Sequence, residues 1–116
     1  MTSPVFVNMT PHPINLLTGD GVPLLNIPPS GDTIRLDETE EMVDDLIVNG
    51  IQVEISFKTF SASADLPSIE ANTFYIVSAM VAKAYPERFD FLIVNRTVRD
   101  DEGRIMGCTA FARAAP

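Results

Sequence analysis

The sequence contains one cysteine, one histidine and no tryptophan among its 116 residues. A single cysteine, Cys108, cannot form an internal disulfide, which is typical of proteins from a reducing compartment. The single histidine, His12, excludes a site with two histidine ligands, and zinc would need more ligands than His12 and Cys108 can supply. We therefore expect no metal site and no cofactor.

Basic residues are also scarce, with 8 lysines and arginines against 16 acidic residues and a net charge of -8. A nucleic-acid interface needs positive charge to displace the counterions around phosphates, so we expect no DNA or RNA partner. The N-terminus lacks the basic start and apolar run of a signal peptide. No apolar stretch approaches the ~20 residues that cross a membrane. These features predict a cytoplasmic protein without a membrane partner.

Motifs of the common enzyme chemistries are missing. There is no phosphate-binding glycine motif and no serine in a nucleophile-elbow motif. The acidic runs at residues 37–45 and 100–102 do not match a calcium loop, and such runs normally form solvated surfaces. A dyad of Cys108 and His12 is formally open, but Cys108 lies in an expected strand, where a buried, inert thiol is the usual finding. We therefore expect a protein that is not an enzyme.

The segments that are present are short and rich in β-formers. The length and the 46% of hydrophobic residues fit a single domain over residues 1–116. Ser78 is expected to cap a short helix over residues 79–85, which Pro86 ends. Strands are expected at residues 5–7, 14–17, 22–27, 33–36, 73–77, 90–95 and 105–111. This pattern predicts an α+β, β-rich domain in which antiparallel sheet(s) form a rolled or sandwiched structure with one or two short helices.

Residues 37–60 allow two interpretations. Asp37 and Glu40 are spaced as in a capping box, which would open a helix over residues 37–46. Asn49 and Gly50, however, lie between apolar runs and form a strong hairpin signal. We favour strands at 43–48 and 51–60, and the helix stays open. The alternating side chains Ile51, Val53, Ile55 and Phe57 would then share one buried face, with Gln52, Glu54 and Lys58 exposed.

Strands rich in Ile, Val and Phe have open edges that a small domain must cover. Pairing those edges between subunits is one solution. The sequence therefore predicts a homodimer or a larger oligomer.

Arginines are concentrated near the C-terminus of this acidic chain. Arginine presents a planar fork that matches phosphate or carboxylate groups. We take a pocket for a phosphate-bearing nucleotide as a hypothesis, in which Tyr75 or His12 stacks on the base or ribose. The alternative is that Arg99 and Arg104 merely pair with acidic neighbours in the final turn. The candidate ligand-binding residues are His12, Arg35, Tyr75, Asn95, Arg99 and Arg104.

Five segments together resemble a family of small bacteriophage and prophage proteins. They are residues 8–15 (NMTPHPIN), 27–31 (IPPSG), 75–78 (YIVS), 86–90 (PERFD) and 98–108 (VRDDEGRIMGC). The resemblance covers most of the chain except residues 39–71, and it implies a phage origin without specifying an activity.

A looser resemblance is to phage "sponge" proteins of the Thoeris anti-defence type. Those proteins are small β-rich oligomers that sequester nucleotide immune signals without catalysis. The likeness implies a counter-defence protein in the host cytoplasm that binds a small phosphate-bearing nucleotide. The alternative is a phage structural or assembly accessory protein of the head or tail.

Overall fold

The computed structural model describes residues 3–61 and 65–115. The predicted class, a β-rich α+β domain, is confirmed by eight strands and one short helix in this part of the chain. The elements are β1 (Val5–Asn8), β2 (Ile14–Leu17), β3 (Pro23–Ile27), β4 (Asp37–Val48), β5 (Ile51–Ser61), β6 (Thr73–Ile76), α1 (Ala79–Ala84), β7 (Phe91–Arg99) and β8 (Ile105–Ala112).

Six strands form one mixed sheet in the order β1-β6-β7-β8-β2-β3. The pairs β1–β6, β6–β7 and β2–β8 are parallel, and β7–β8 and β2–β3 are antiparallel. The two edge strands approach each other where Asn8 bridges to Pro29, and the Ser30 N–H donates to the Asn8 carbonyl at 2.8 Å. The sheet is therefore nearly closed into a barrel. We call this sheet together with α1 the body.

Two apolar clusters form the core of the body. Because successive side chains of a strand point to opposite faces, neighbouring residues of β6 contribute to different clusters. Tyr75 packs with Phe91 and with the helix residues Val81, Ala82 and Tyr85. Ile76 packs instead with buried residues of the other strands, namely Ile14, Ile27 and Cys108.

The short helix α1 begins and ends as the sequence indicates. The Ser78 hydroxyl accepts a hydrogen bond from the Val81 N–H at 3.3 Å, which is the expected N-cap contact. The last helical residue is Ala84, with Tyr85 as the C-cap before Pro86. The helix thus connects the parallel strands β6 and β7 over one apolar cluster.

The strand predicted at residues 33–36 is wrong, because this segment pairs with no neighbouring strand and is irregular. Its alternating pattern has another cause. Ile34 and Leu36 pack against the core while Arg35 points to solvent. The segment therefore fixes the chain to the body immediately before β4 begins.

Residues 37–61 form an antiparallel hairpin that we call the arm. Strand β4 begins at Asp37, so the helix considered for residues 37–46 is not formed, and the strand is longer than predicted. Asn49 and Gly50 have φ angles of 52° and 79°. Positive φ at both central residues is the type I′ turn that matches the twist of a hairpin. The hairpin prediction is confirmed.

The arm projects from the body and packs almost solely on itself. Every described residue of β4 and β5 is exposed except Ser56, which is half-buried. The radius of gyration is 18.2 Å, whereas a compact chain of this length would have about 13 Å. The prediction that Ile51, Val53, Ile55 and Phe57 are buried is therefore wrong for the single chain. They do share one face, but nothing in the described chain covers it.

Candidate functional site

The body contains an open cavity of about 440 Å³ beside β2 and β8, at the start of α1. This volume falls in the usual range for small-molecule sites. Most of the lining is apolar, from Ile14, Ile76, Val94, Ile105 and Met106. The polar side chains on it come from Thr10, His12, Asn15, Ser78 and Cys108. The chemistry of this lining suits an uncharged, largely apolar ligand.

Asn8 organises the loop that brings His12 to the cavity. Its buried side chain donates to the carbonyls of His12 at 2.7 Å and Ile27 at 3.0 Å. Its Oδ1 accepts from the Thr10 N–H at 3.0 Å and from the Thr10 hydroxyl at 2.6 Å. The amide thus satisfies groups that the proline-rich segment 8–13 cannot satisfy by strand pairing. Sequence reasoning missed this role of Asn8.

The predicted ligand-binding residues are not brought together in the cavity. Among them only His12 lines it. Tyr75 is buried in the core, where its hydroxyl donates to the Ser68 carbonyl at 2.9 Å, and burial is the main cause of its raised pKa. Arg35 and Asn95 are exposed, and the Asn95 Oδ1 accepts from the Arg96 N–H.

Arg99 and Arg104 lie at the turn between β7 and β8. Arg104 Nε lies 3.2 Å from an Asp100 carboxylate oxygen and its Nη2 lies 2.6 Å from Glu102. Arg99 Nη1 donates to the Gly103 carbonyl at 2.7 Å. The Arg104 side chain is 74% exposed. These contacts occupy guanidinium N–H groups that would otherwise bind a phosphate. The arginine pocket stays a prediction.

Cys108 is buried, as predicted, and only 2% of its surface is exposed. Burial is the main cause of its raised pKa, which disfavours the thiolate. His12 lines the same cavity, but no hydrogen bond joins the imidazole to the thiol in the described residues. The arrangement therefore lacks the activating contact of a cysteine–histidine nucleophile.

One face of the arm is apolar and exposed. The cross-strand pairs Val48–Ile51 and Leu46–Val53 lie on the same side of the hairpin as Ile55 and Phe57. We call these six residues the apolar face, and their exposed fractions range from 39% to 67%. Contiguous apolar surface of this kind marks interaction sites in folded proteins. The alternation in β5 predicts one apolar face, but it does not predict that this face is exposed.

The opposite side of the arm is mostly polar and acidic. It presents Glu38, Glu40, Asp45 and Glu54, together with Gln52 and Lys58. Lys58 forms an ion pair with Glu38, and Gln52 donates to Asp45. The hydrogen bond from Lys58 to Glu38 is the first cause of the raised lysine pKa. This side also carries the exposed apolar residues Ile47, Met42 and Phe60, and the side of the apolar face carries three acids nearer the body. The two sides therefore differ most in polarity at the tip, where the apolar face carries no charge.

Arg88 fixes Pro67, which lies in the segment that leads from the arm back to the body. Its guanidinium forms two hydrogen bonds of 2.8 Å with Asp90, donates to the Pro67 carbonyl at 2.9 Å, and lies 4.3 Å from the centre of the Phe91 ring. Both charged side chains are only 10% exposed. The hydrogen bond to Asp90 is the first cause of the raised Arg88 pKa. This ion pair is structural, and sequence reasoning did not identify it.

The described residues hold neither a metal-binding cluster nor a membrane-spanning helix. They contain no group of three or more His, Cys, Asp or Glu side chains that could hold a metal ion. No helix in the described ranges is long and apolar enough to cross a membrane. No protein-family model, curated protein sequence or solved structure matches the chain.

Proposed function

We propose that this chain is a non-catalytic assembly subunit that binds other protein chains through the apolar face of its arm. The observation that carries the proposal is the exposure of six apolar side chains on one face of a projecting hairpin. This proposal corresponds to the structural or assembly accessory protein that the phage resemblance leaves open.

The stability of the arm supports this proposal. An isolated two-stranded hairpin is at best marginally stable in water, and the arm has almost no packing against the body. Burial of an apolar side chain such as Ile contributes about 1.5–3 kcal/mol. A partner that covers the apolar face therefore supplies the packing that the arm lacks within its own chain. An arm of this design is expected in a protein that works in an assembly.

Ile47 and Ile51 offer a matched pair of variants for the test. They flank the turn on opposite faces of the arm, and their exposed fractions are 68% and 67%. The chain is expressed together with the products of its neighbouring genes, and complexes are separated by size. Ile51→Asp should remove the chain from the assembly, whereas Ile47→Asp should leave it there. A wild-type chain that enters no complex would contradict the proposal.

A nucleotide-signal sponge is the second candidate function, and the cavity is the observation that favours it. A site of about 440 Å³ can enclose a small molecule. No arginine is among its lining residues in the described chain, so a phosphate would have to reach Arg99 and Arg104 at the turn.

Thermal unfolding with and without nucleotide extracts tests the sponge function. A sponge should show a large stabilising shift, and Arg104→Ala should weaken binding about tenfold or more, because a charge-assisted hydrogen bond contributes ~1.5–3 kcal/mol. If the arginine serves only in the surface pairs with Asp100 and Glu102, the variant changes stability by about 0–1 kcal/mol and changes no binding. The absence of any shift would remove this candidate.

A further inference from the structure

We infer that the apolar face of the arm packs against the same face of a second copy of this chain. The inference rests on the proposed function and names the partner. Two arms would lie face to face, with their acidic sides turned outward to solvent. The contact would be isologous, which means that both copies use the same surface.

The shape of the arm fits a sheet-on-sheet contact. β5 has 11 residues, which at ~3.3 Å per residue gives a ribbon ~36 Å long. Sheets stack about 10 Å apart with their strands roughly aligned, and two copies of one ribbon have the same length and twist. A second copy of the chain offers an apolar strip of the same length and width.

The distribution of charge within the apolar face supports a contact centred near the tip. Leu46, Val48, Ile51 and Val53 form the tip half, which carries no charged side chain. The acidic residues of this face, such as Asp44 opposite Ile55, lie nearer the body. Two arms stacked at their tips would therefore have an apolar centre and an acidic rim. That is the usual anatomy of a specific interface.

The net charge of the arm opposes association least at the tip of the apolar face. Residues 37–61 contain seven acidic side chains and one lysine, so the arm holds six of the eight net negative charges. Four of these acids lie on the polar side, which faces away from the partner in a face-to-face pair. The other three, Asp37, Glu41 and Asp44, lie on the side of the apolar face but away from its tip. Stacking two arms by their polar sides would instead bring like charges together. The apolar face is thus the side through which two acidic arms can meet.

The size of the face sets the expected strength. A two-stranded ribbon buries less surface than the ~800 Å² per partner of a standard interface. Affinity at a given area varies widely, and small interfaces are at the weak end. We therefore expect a dissociation constant in the micromolar range.

The experiment measures mass against concentration for the full chain by sedimentation equilibrium. The wild type should change from 12.7 kDa to twice that mass across the micromolar range. Ile51→Thr should raise the dissociation constant about tenfold or more, because both copies lose a buried apolar group. Ile47→Thr makes the same chemical change on the polar side and should leave the constant within about twofold. Threonine keeps the β-branched side chain, so both variants retain the hairpin.

A third variant addresses another exposed apolar surface. Leu24 and Leu25 lie exposed on the edge strand β3. If Leu24→Thr or Ile47→Thr weakens the dimer and Ile51→Thr does not, the inference is overturned, because copies then meet through a different surface. A wild type of 12.7 kDa at all concentrations also overturns it. In that case the proposed function still stands or fails by the co-expression experiment, which does not require self-association.

Discussion

At the scale of single residues, Asn8 is a polar side chain with a structural role in the body. It is buried, and it bonds the carbonyls of His12 and Ile27 and both donors of Thr10. Leaving buried polar groups without partners costs about 1–3 kcal/mol. The hydrogen bonds of Asn8 therefore give the segment NMTPHP a structural role, in which His12 contributes its backbone carbonyl.

We predict that Asn8→Ala destabilises the fold by about 1–3 kcal/mol in urea unfolding. The matched control is Asn26→Ala, because Asn26 is exposed and its side-chain amide donates to Asn15 at the surface. That control should change stability by less than about 0.5 kcal/mol. Equal effects of the two substitutions would show that the Asn8 contacts do not hold the loop.

Cys108 allows a second prediction at this scale. Burial raises the pKa of its thiol, so the reactive thiolate is depleted at neutral pH. A thiol reagent should therefore react slowly with the folded chain, and the rate should increase as pH rises or when urea unfolds the protein. Rapid labelling of the folded chain at neutral pH would contradict the buried position.

The sequence allowed some of these residue roles to be predicted but not others. Cys108 lies between strand-forming residues, and its burial follows from that pattern. Asn8 and Arg88 gave no such signal, because their partners Ile27 and Pro67 are distant in the chain. Tyr75 was proposed as a ligand contact, and its place in the core depends on where α1 and β7 pack. Contacts of that kind follow from topology, which local patterns do not encode.

At the scale of elements, the arm shows what local sequence can predict. Asn49 and Gly50 have the φ angles of a type I′ turn, and the alternation in β5 places one apolar face, so the hairpin was predictable. The acidic start of β4 reads equally well as a helix N-terminus, and only pairing with β5 excludes it. The strand predicted at residues 33–36 is not formed, because this alternating segment has no neighbouring strand with which to pair.

The body should remain folded and equally stable when the arm is removed. Because β4 and β5 hardly pack on the six-stranded sheet, replacing residues 38–60 with a short glycine-containing turn should leave the body folded. Measured at submicromolar concentration, the melting temperature should change by less than about 4 °C, corresponding to less than ~1 kcal/mol. Loss of cooperative unfolding would show that the arm contributes to the core.

At the scale of the whole molecule, the β-rich α+β class was predictable from the density of short strands. The strand order was not, because the parallel pairs β1–β6 and β2–β8 join segments far apart in sequence. The exposure of the arm was also not predictable. Alternation indicates that one face is to be buried, but it does not say whether the covering surface belongs to the same chain.

The charge of the arm leads to a prediction for salt dependence. Two acidic arms repel each other, and added salt screens that repulsion. Self-association should therefore strengthen, or stay constant, as ionic strength rises. Binding of a phosphate by arginines should weaken under the same change, since salt screens that attraction. Light scattering at low and high salt measures the first, and a dimer that dissociates at high salt would contradict apolar packing of the arms.

Amide hydrogen exchange of the arm, followed as a function of protein concentration, tests the central claim most directly. If two copies pack through the apolar face, the amides of β5 should exchange more slowly as concentration rises through the micromolar range, because burial stabilises a hairpin that is marginal alone. The amides of the six-stranded sheet should be unaffected. Rapid exchange of β5 at every concentration would contradict the account, since the arm would then remain uncovered.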